Sequence, residues 1–207
     1  MDVLIPDRST TAGQEMARAL EAGGHRVHAC VHVDGALPCA SLAGRACPLD
    51  GAPVDVVVEA ASGPRRGELL GDGAVCAVRR HIPLVLAGAG DDHPLAPWAA
   101  GHVGSDVRAA VAAVLGHPLP GHTAAARKAL LHELRHQGSD SETASVEVFR
   151  RPGRLLVELW TDSSMSRTQA ERLATHVAQA VRGYDRWAPK LDVTVRTSAP
   201  EPVGAGR

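Results

Sequence analysis

The residues best suited to chemistry gather in the first third of the chain. His28-Ala29-Cys30-Val31-His32 lies in a run that reads as a strand, where side chains alternate, so His28, Cys30 and His32 share one face and Val27, Ala29, Val31 and Val33 the other. Cys39 and Cys47 follow, each beside a proline, and Cys76 sits in a helical pattern between Val75 and Ala77. Thiolates are soft ligands, and four of them suit a tetrahedral zinc ion or an iron–sulfur cluster. The gaps of eight, seven and twenty-eight residues contain none of the paired CxxC knuckles of structural zinc sites. A Cys-Pro step also recurs in cluster-binding runs. An iron–sulfur cluster on Cys30, Cys39, Cys47 and Cys76 is therefore preferred over zinc, with His28 and His32 as substitutes or supporting donors. Two simpler expectations compete with it: thiols buried as ordinary core, and histidines facing solvent on an edge strand.

His132-Glu133-Leu134-Arg135-His136 matches HExxH, in which histidines at i and i+4 hold zinc and the glutamate activates its bound water. With Ala129-Leu130-Leu131 before it, the segment resembles the active-site helix of zinc metallopeptidases, and that resemblance implies a zinc hydrolase. The HxxGxxH extension is absent, the helix stops at Gln137-Gly138, and only Glu158 is available as a third ligand. The preferred expectation is a solvated helix face with His132, Glu133, Arg135 and His136 all pointing outward.

The loop after the first strand, Asp7-Arg8-Ser9-Thr10-Thr11-Ala12-Gly13-Gln14, carries three hydroxyls and a glycine into a helix. It resembles the phosphate-cradling loop of flavodoxins, which implies FMN held through Ser9, Thr10, Thr11 and Gly13. Flavodoxins stack aromatic side chains on the flavin, whereas here the domain offers Trp98 alone. A plain N-cap formed by Ser9, Thr10 or Thr11 is the competing expectation. Asp7 also fits the acidic residue after strand 1 of receiver-like domains, but Glu59 stands where a phosphoacceptor aspartate belongs and no lysine follows the last strand. Asp91 and Asp92 fall in a loop at the ligand-binding edge.

These residues need elements to position them. Apolar runs at 3–5, 26–33, 54–59 and 83–87 and a weak strand near 102–103 alternate with helical patterns over 12–22, 68–80 and 106–115, the last with Ser105 as its N-cap. Continuous apolar strands separated by helices imply a parallel sheet covered on both faces. The first 115 residues or so therefore resemble a flavodoxin-like, doubly wound α/β domain with strand order 2-1-3-4-5. Gly116-His117-Pro118-Leu119-Pro120-Gly121 marks a boundary, giving domains at 1–116 and 122–197. The second reads as αββαβ: a helix over 124–136, a hairpin of 145–149 and 155–160, a helix opened by a capping box at Ser166-Arg167-Thr168-Gln169, and a strand over 191–195. Its order is similar to that of small dimerisation domains, which implies a homo-oligomer. The tail 198–207, with two prolines and two glycines, is expected to be disordered.

Bulk properties narrow the function. A formal net charge of −1 supplies no field for steering onto nucleic acid. The amino terminus lacks a basic region before its short apolar run, and no run approaches the ~18 apolar residues of a membrane helix, so a cytoplasmic protein with reduced thiols is expected. The combined expectation is a non-catalytic, redox-sensing or regulatory metal protein. A metal-free ligand-binding or interaction module, an FMN protein and a zinc hydrolase are the alternatives.

Overall fold

The computed structural model describes residues 1–30, 46–51, 53–60, 72–88, 93–104, 106–138, 144–161, 165–188 and 190–196. The chain divides into two compact units, Met1–His117 and Pro118–Arg207.

In the first unit five parallel strands, β1 (Asp2–Ile5), β2 (Arg26–Ala29), β3 (Val56–Ala60), β4 (Leu84–Ala87) and β5 (Ala99–Val103), form one sheet in the order β2-β1-β3-β4-β5. The continuous runs Val3-Leu4-Ile5, Val56-Val57-Val58 and Leu84-Val85-Leu86 are buried throughout because both sheet faces are covered. Alternation divides them. Val3, Ile5, Val56, Val58 and Val85 pack with α1 (Thr11–Ala22) and α4 (Val107–Gly116); Leu4, Val57, Leu84 and Leu86 pack with α2 (Pro48–Gly51) and α3 (Asp72–Arg79). Each fully buried leucine or valine stabilises by about 1.5–3 kcal/mol over its exposed state.

Local chemistry sets the helix ends, with some departures from expectation. The Thr10 hydroxyl caps α1 by accepting from the Gly13 N–H, and Gly24, at φ 79°, lets the chain leave it. At α4 the cap is Asp106, which accepts from the Arg108 and Ala109 N–H groups; Ser105 lies outside the described residues. β5 begins at Ala99, earlier than the expected 102–103. Its Ala-Ala-Gly-His sequence has little strand character, and pairing with β4, through a register shift at Leu84/Val85, places it. The latter part of the strand expected over 26–33 and the beginning of the helix expected over 68–80 fall outside the described residues.

The second unit contains α5 (Pro120–His136), β6 (Ser145–Arg151), β7 (Arg154–Trp160), α6 (Arg167–Tyr184) and β8 (Lys190–Arg196), with sheet order β6-β7-β8. β6 and β7 are antiparallel, whereas β8 returns parallel to β7 after α6. The hairpin turns at Pro152-Gly153, where φ at Gly153 is 66°. α6 opens on the anticipated capping box between Ser166 and Gln169. α5 starts at Pro120, not at Ala124, because a proline in the first turn loses only an N–H that the helix leaves unpaired anyway. Val146, Val148, Leu155, Val157 and Leu159 supply the sheet side of the core against Ala126, Leu130 and Leu134 of α5 and Leu173, Val177 and Val181 of α6.

The two edges of this sheet are guarded. At β6 the Leu119 N–H donates to the Val148 carbonyl and the Val148 N–H donates to the Thr123 hydroxyl. β8 carries Lys190, Asp192 and Arg196 at alternate positions. Blocked hydrogen-bonding groups and charged side chains both discourage edge-to-edge pairing. The tail 198–207 lies outside the described residues.

Candidate functional site

The carboxyl edge of the parallel sheet is where ligands meet α/β folds, because loops and helix starts converge there. In the first unit β3, β4 and β5 end on small residues, Ala60, Ala87-Gly88 and Val103-Gly104. Their lack of bulk opens a cleft of about 340 Å³ walled by Ala12, Glu15, Met16 and Ala19 of α1 and by Val107 of α4. That volume lies at the small end of the ~300–1,000 Å³ typical of small-molecule pockets. Among the described residues the wall is mostly apolar, with Glu15 as its ionisable side chain and no aromatic or basic residue.

The loop leading to this cleft is folded on itself. Asp7 Oδ1 accepts from both the N–H and the hydroxyl of Ser9, at 2.8 and 2.6 Å, while Thr10 Oγ1 accepts from the Gly13 N–H at 3.0 Å. Thr11 is exposed in the first turn. Gly13 is there for space: a Cβ at this position would stand 2.1 Å from the Asp7 carbonyl oxygen. Of the four residues expected to hold an FMN phosphate, Thr10 and Gly13 form the N-cap of α1 and Ser9 bonds to Asp7.

On the opposite face of the same edge is a carboxyl group in an unusual setting. Glu59 shares the face of Val57 by alternation, and its Oε2 is buried with no hydrogen-bond partner among the described residues. Burial, reinforced by the negative charge of Asp7, pushes the Glu59 carboxyl up to about 7. A carboxyl held up by the fold is protonated more readily in the folded chain than in the unfolded one. The folded state therefore loses stability as pH rises from about 4.5 to about 7. Glu59→Gln is expected to remove that loss, stabilising the protein above pH 7 by at most ~3 kcal/mol and far less at pH 4. Thermal melts of both proteins across this range measure it; parallel stability curves would show that Glu59 is solvated.

Cys30, Cys47 and Cys76 all border the apolar cluster between the sheet and α3. Cys30 Sγ lies against Gly73 in the first turn of α3, where a Cβ would meet it at 2.9 Å and the Pro6 ring at 2.8 Å. Cys76 is three residues further along that helix. Cys47 directly precedes α2, which Arg80 ties to the far end of α3 through the Leu49 carbonyl at 2.7 Å and Asp50 at 2.5 Å. Cys30 thus lies by the first turn of α3 and Cys76 at its middle, while Cys47 precedes a segment tied to Arg80 at its other end. Among the described residues no three His, Cys, Asp or Glu side chains are grouped to hold a metal ion. His28 is half-buried on edge strand β2, where its Nε2 lies 2.7 Å from Asp2 Oδ1. Cys39, His32, Asp91 and Asp92 lie outside the described residues.

In the second unit the HExxH segment splits between two faces of α5. His132, Arg135 and His136 are exposed, but Glu133 is buried, with a side-chain exposure of 2%, which corrects the expected all-outward face. Glu133 Oε1 accepts from the Gln137 amide at 2.9 Å, and its Oε2 lies 2.6 Å from His176 Nδ1 on α6. The Gln137 hydrogen bond, opposed by burial and aided by His176 and Arg172, holds its carboxyl below the usual range. A carboxylate engaged in that way joins α5 to α6 and points away from both motif histidines.

A second buried polar group escaped sequence reading. His122 Nε2 and Asp185 Oδ2 are 3.0 Å apart at buried positions, and Tyr184 meets the imidazole edge-on at 5.0 Å. These partners are sixty-three residues apart, so no local pattern announces them. The cleft is silent in the sequence for another reason: alanine and glycine carry no chemical signature, even where they recur at strand ends. No helix among the described residues is long and apolar enough to cross a membrane. No family model, curated protein or solved structure matches this chain.

Proposed function

We propose that the first unit is a non-catalytic ligand-binding module that takes a small molecule with an apolar body and a cationic end into the cleft between α1 and α4. The cleft itself carries this reading: apolar walls favour an apolar body, and Glu15 favours a positive or hydrogen-donating end. An anionic phosphate would face Glu15, and among the described residues the wall offers it no basic side chain. The flavodoxin-like assignment rests on the 2-1-3-4-5 strand order alone.

Titration with hexylamine, followed by amide NMR, tests the reading. Shifts are expected at Ala12 to Ala19, Ala60, Gly88 and Gly104, with hexanol binding more weakly and Glu15→Gln erasing the difference. Ala12→Trp places an indole in the cleft from an exposed helix position and is expected to abolish the shifts. Unchanged cleft amides in the parent, or full binding by Ala12→Trp, defeat the proposal.

The second reading is a Cys-ligated regulatory centre, favoured by three thiols around one apolar cluster. It needs Cys39 and a closer approach of Cys47, and anaerobically purified protein with no visible absorption would dismiss an iron–sulfur cluster. Self-association of the second unit would use a face, since its edges are guarded. Sedimentation equilibrium tests it.

A further inference from the structure

We propose that His132 and His136 form a two-imidazole chelate on the exposed face of α5 for a divalent transition-metal ion, Cu²⁺ or Ni²⁺. The helix supplies the geometry, because residues at i and i+4 are stacked one turn apart on the same face. Both side chains are exposed, and the ring centroids are 4.5 Å apart with planes at 59°.

That separation is short enough for the two rings to share one ion. An imidazole nitrogen about 2.1 Å from an ion places its ring centroid about 3.2 Å away, so two rings at a right angle stand about 4.5 Å apart and two at the tetrahedral angle about 5.2 Å apart. The observed 4.5 Å lies within reach of both arrangements, and imidazole ligands bind Cu²⁺ most tightly among the divalent first-row ions, with Ni²⁺ next to it in that order. Water fills the remaining positions.

The neighbourhood leaves these two rings available. Four other histidines are engaged: His28 with Asp2, His122 with Asp185, His176 with Glu133, and His117 with the Ala113 carbonyl. Arg135, which lies between the pair in sequence, donates from Nε to the Leu131 carbonyl one turn back. Glu133 is engaged by Gln137 and by His176 of α6, so this ion would lack the water-activating carboxylate of a hydrolase. The site is a binding site, independent of the cleft in the first unit.

Calorimetric titration of the untagged full chain with CuCl₂ and NiCl₂ tests it, with electron paramagnetic resonance counting the nitrogens on Cu²⁺. One equivalent is expected to bind through two nitrogens. His132→Ala and His136→Ala, both at exposed positions that leave the fold intact, are each expected to weaken it by roughly 10²-fold, the advantage of linked ligands. Glu133→Gln and His117→Ala should leave it unchanged. Equal binding by the parent and the double His132→Ala/His136→Ala variant overturns the proposal, as does loss of binding in Glu133→Gln with the fold retained.

Discussion

Replacing Asp185 by alanine is expected to cost the second unit about 3–5 kcal/mol at neutral pH, because it strands buried partners that the fold cannot rehydrate. The Asp185 side chain is fully buried; its Oδ2 takes the His122 Nε2 hydrogen bond, and its Oδ1 accepts from the Trp187 N–H at 2.9 Å. Burial alone would push this carboxyl up. The His122 hydrogen bond and charge, the Trp187 N–H and the charge of Arg150 together outweigh burial and hold it below the ordinary carboxylate range. A depressed folded-state value means that the stabilisation is complete above the unfolded carboxylate range, near 3.8, and disappears as pH falls through the lower folded value. The difference between parent and Asp185→Ala should therefore be largest near pH 7 and narrow in strong acid. Urea unfolding at both extremes measures this, and a variant within 1 kcal/mol of the parent at pH 7 would show that the pair is solvated.

Gly13→Ala is the second large effect, and its sign is opposite to that expected from helix propensity. In an exposed helix the change stabilises by about 1 kcal/mol. Here the new methyl carbon would come within 2.1 Å of the Asp7 carbonyl oxygen, which is backbone and cannot swing aside. The loop must move, and overpacking of that kind costs about 1–3 kcal/mol. Net destabilisation of the first unit is expected in thermal melts. Movement of Asp7 would also weaken its repulsion of Glu59, so the pH dependence of stability between 4.5 and 7 should flatten in Gly13→Ala. An unaltered or stabilised variant would mean that the close approach is relieved at no cost.

These two positions show how far a linear reading reaches. Gly13 stands out in sequence because a glycine among hydroxyls before a helix suggests a phosphate loop; its role is a backbone approach that only the folded turn reveals. His122 and Asp185 give no signal, since a histidine after a Pro-Gly step and an aspartate after a helix are each unremarkable. Glu133 gives a misleading one. The HExxH spacing correctly places His132 and His136 on one face, but one face of a helix spans only part of its circumference. Residue i+1 is rotated by about 100°, and in this bundle that rotation carries Glu133 to α6.

What the sequence determined by itself is the order and class of the elements: short, β-branched apolar runs bounded by turn residues fit strands covered on both faces, and capping residues such as Thr10 and Ser166 act through neighbours within one turn. What tertiary structure alone decided is which side chains meet. Strand order and helix rotation gather Ala60, Gly88 and Gly104 into one cleft, press Glu59 toward Asp7, and set three thiols around one apolar cluster. Such meetings depend on packing across distant parts of the chain, whereas local rules act over a few residues.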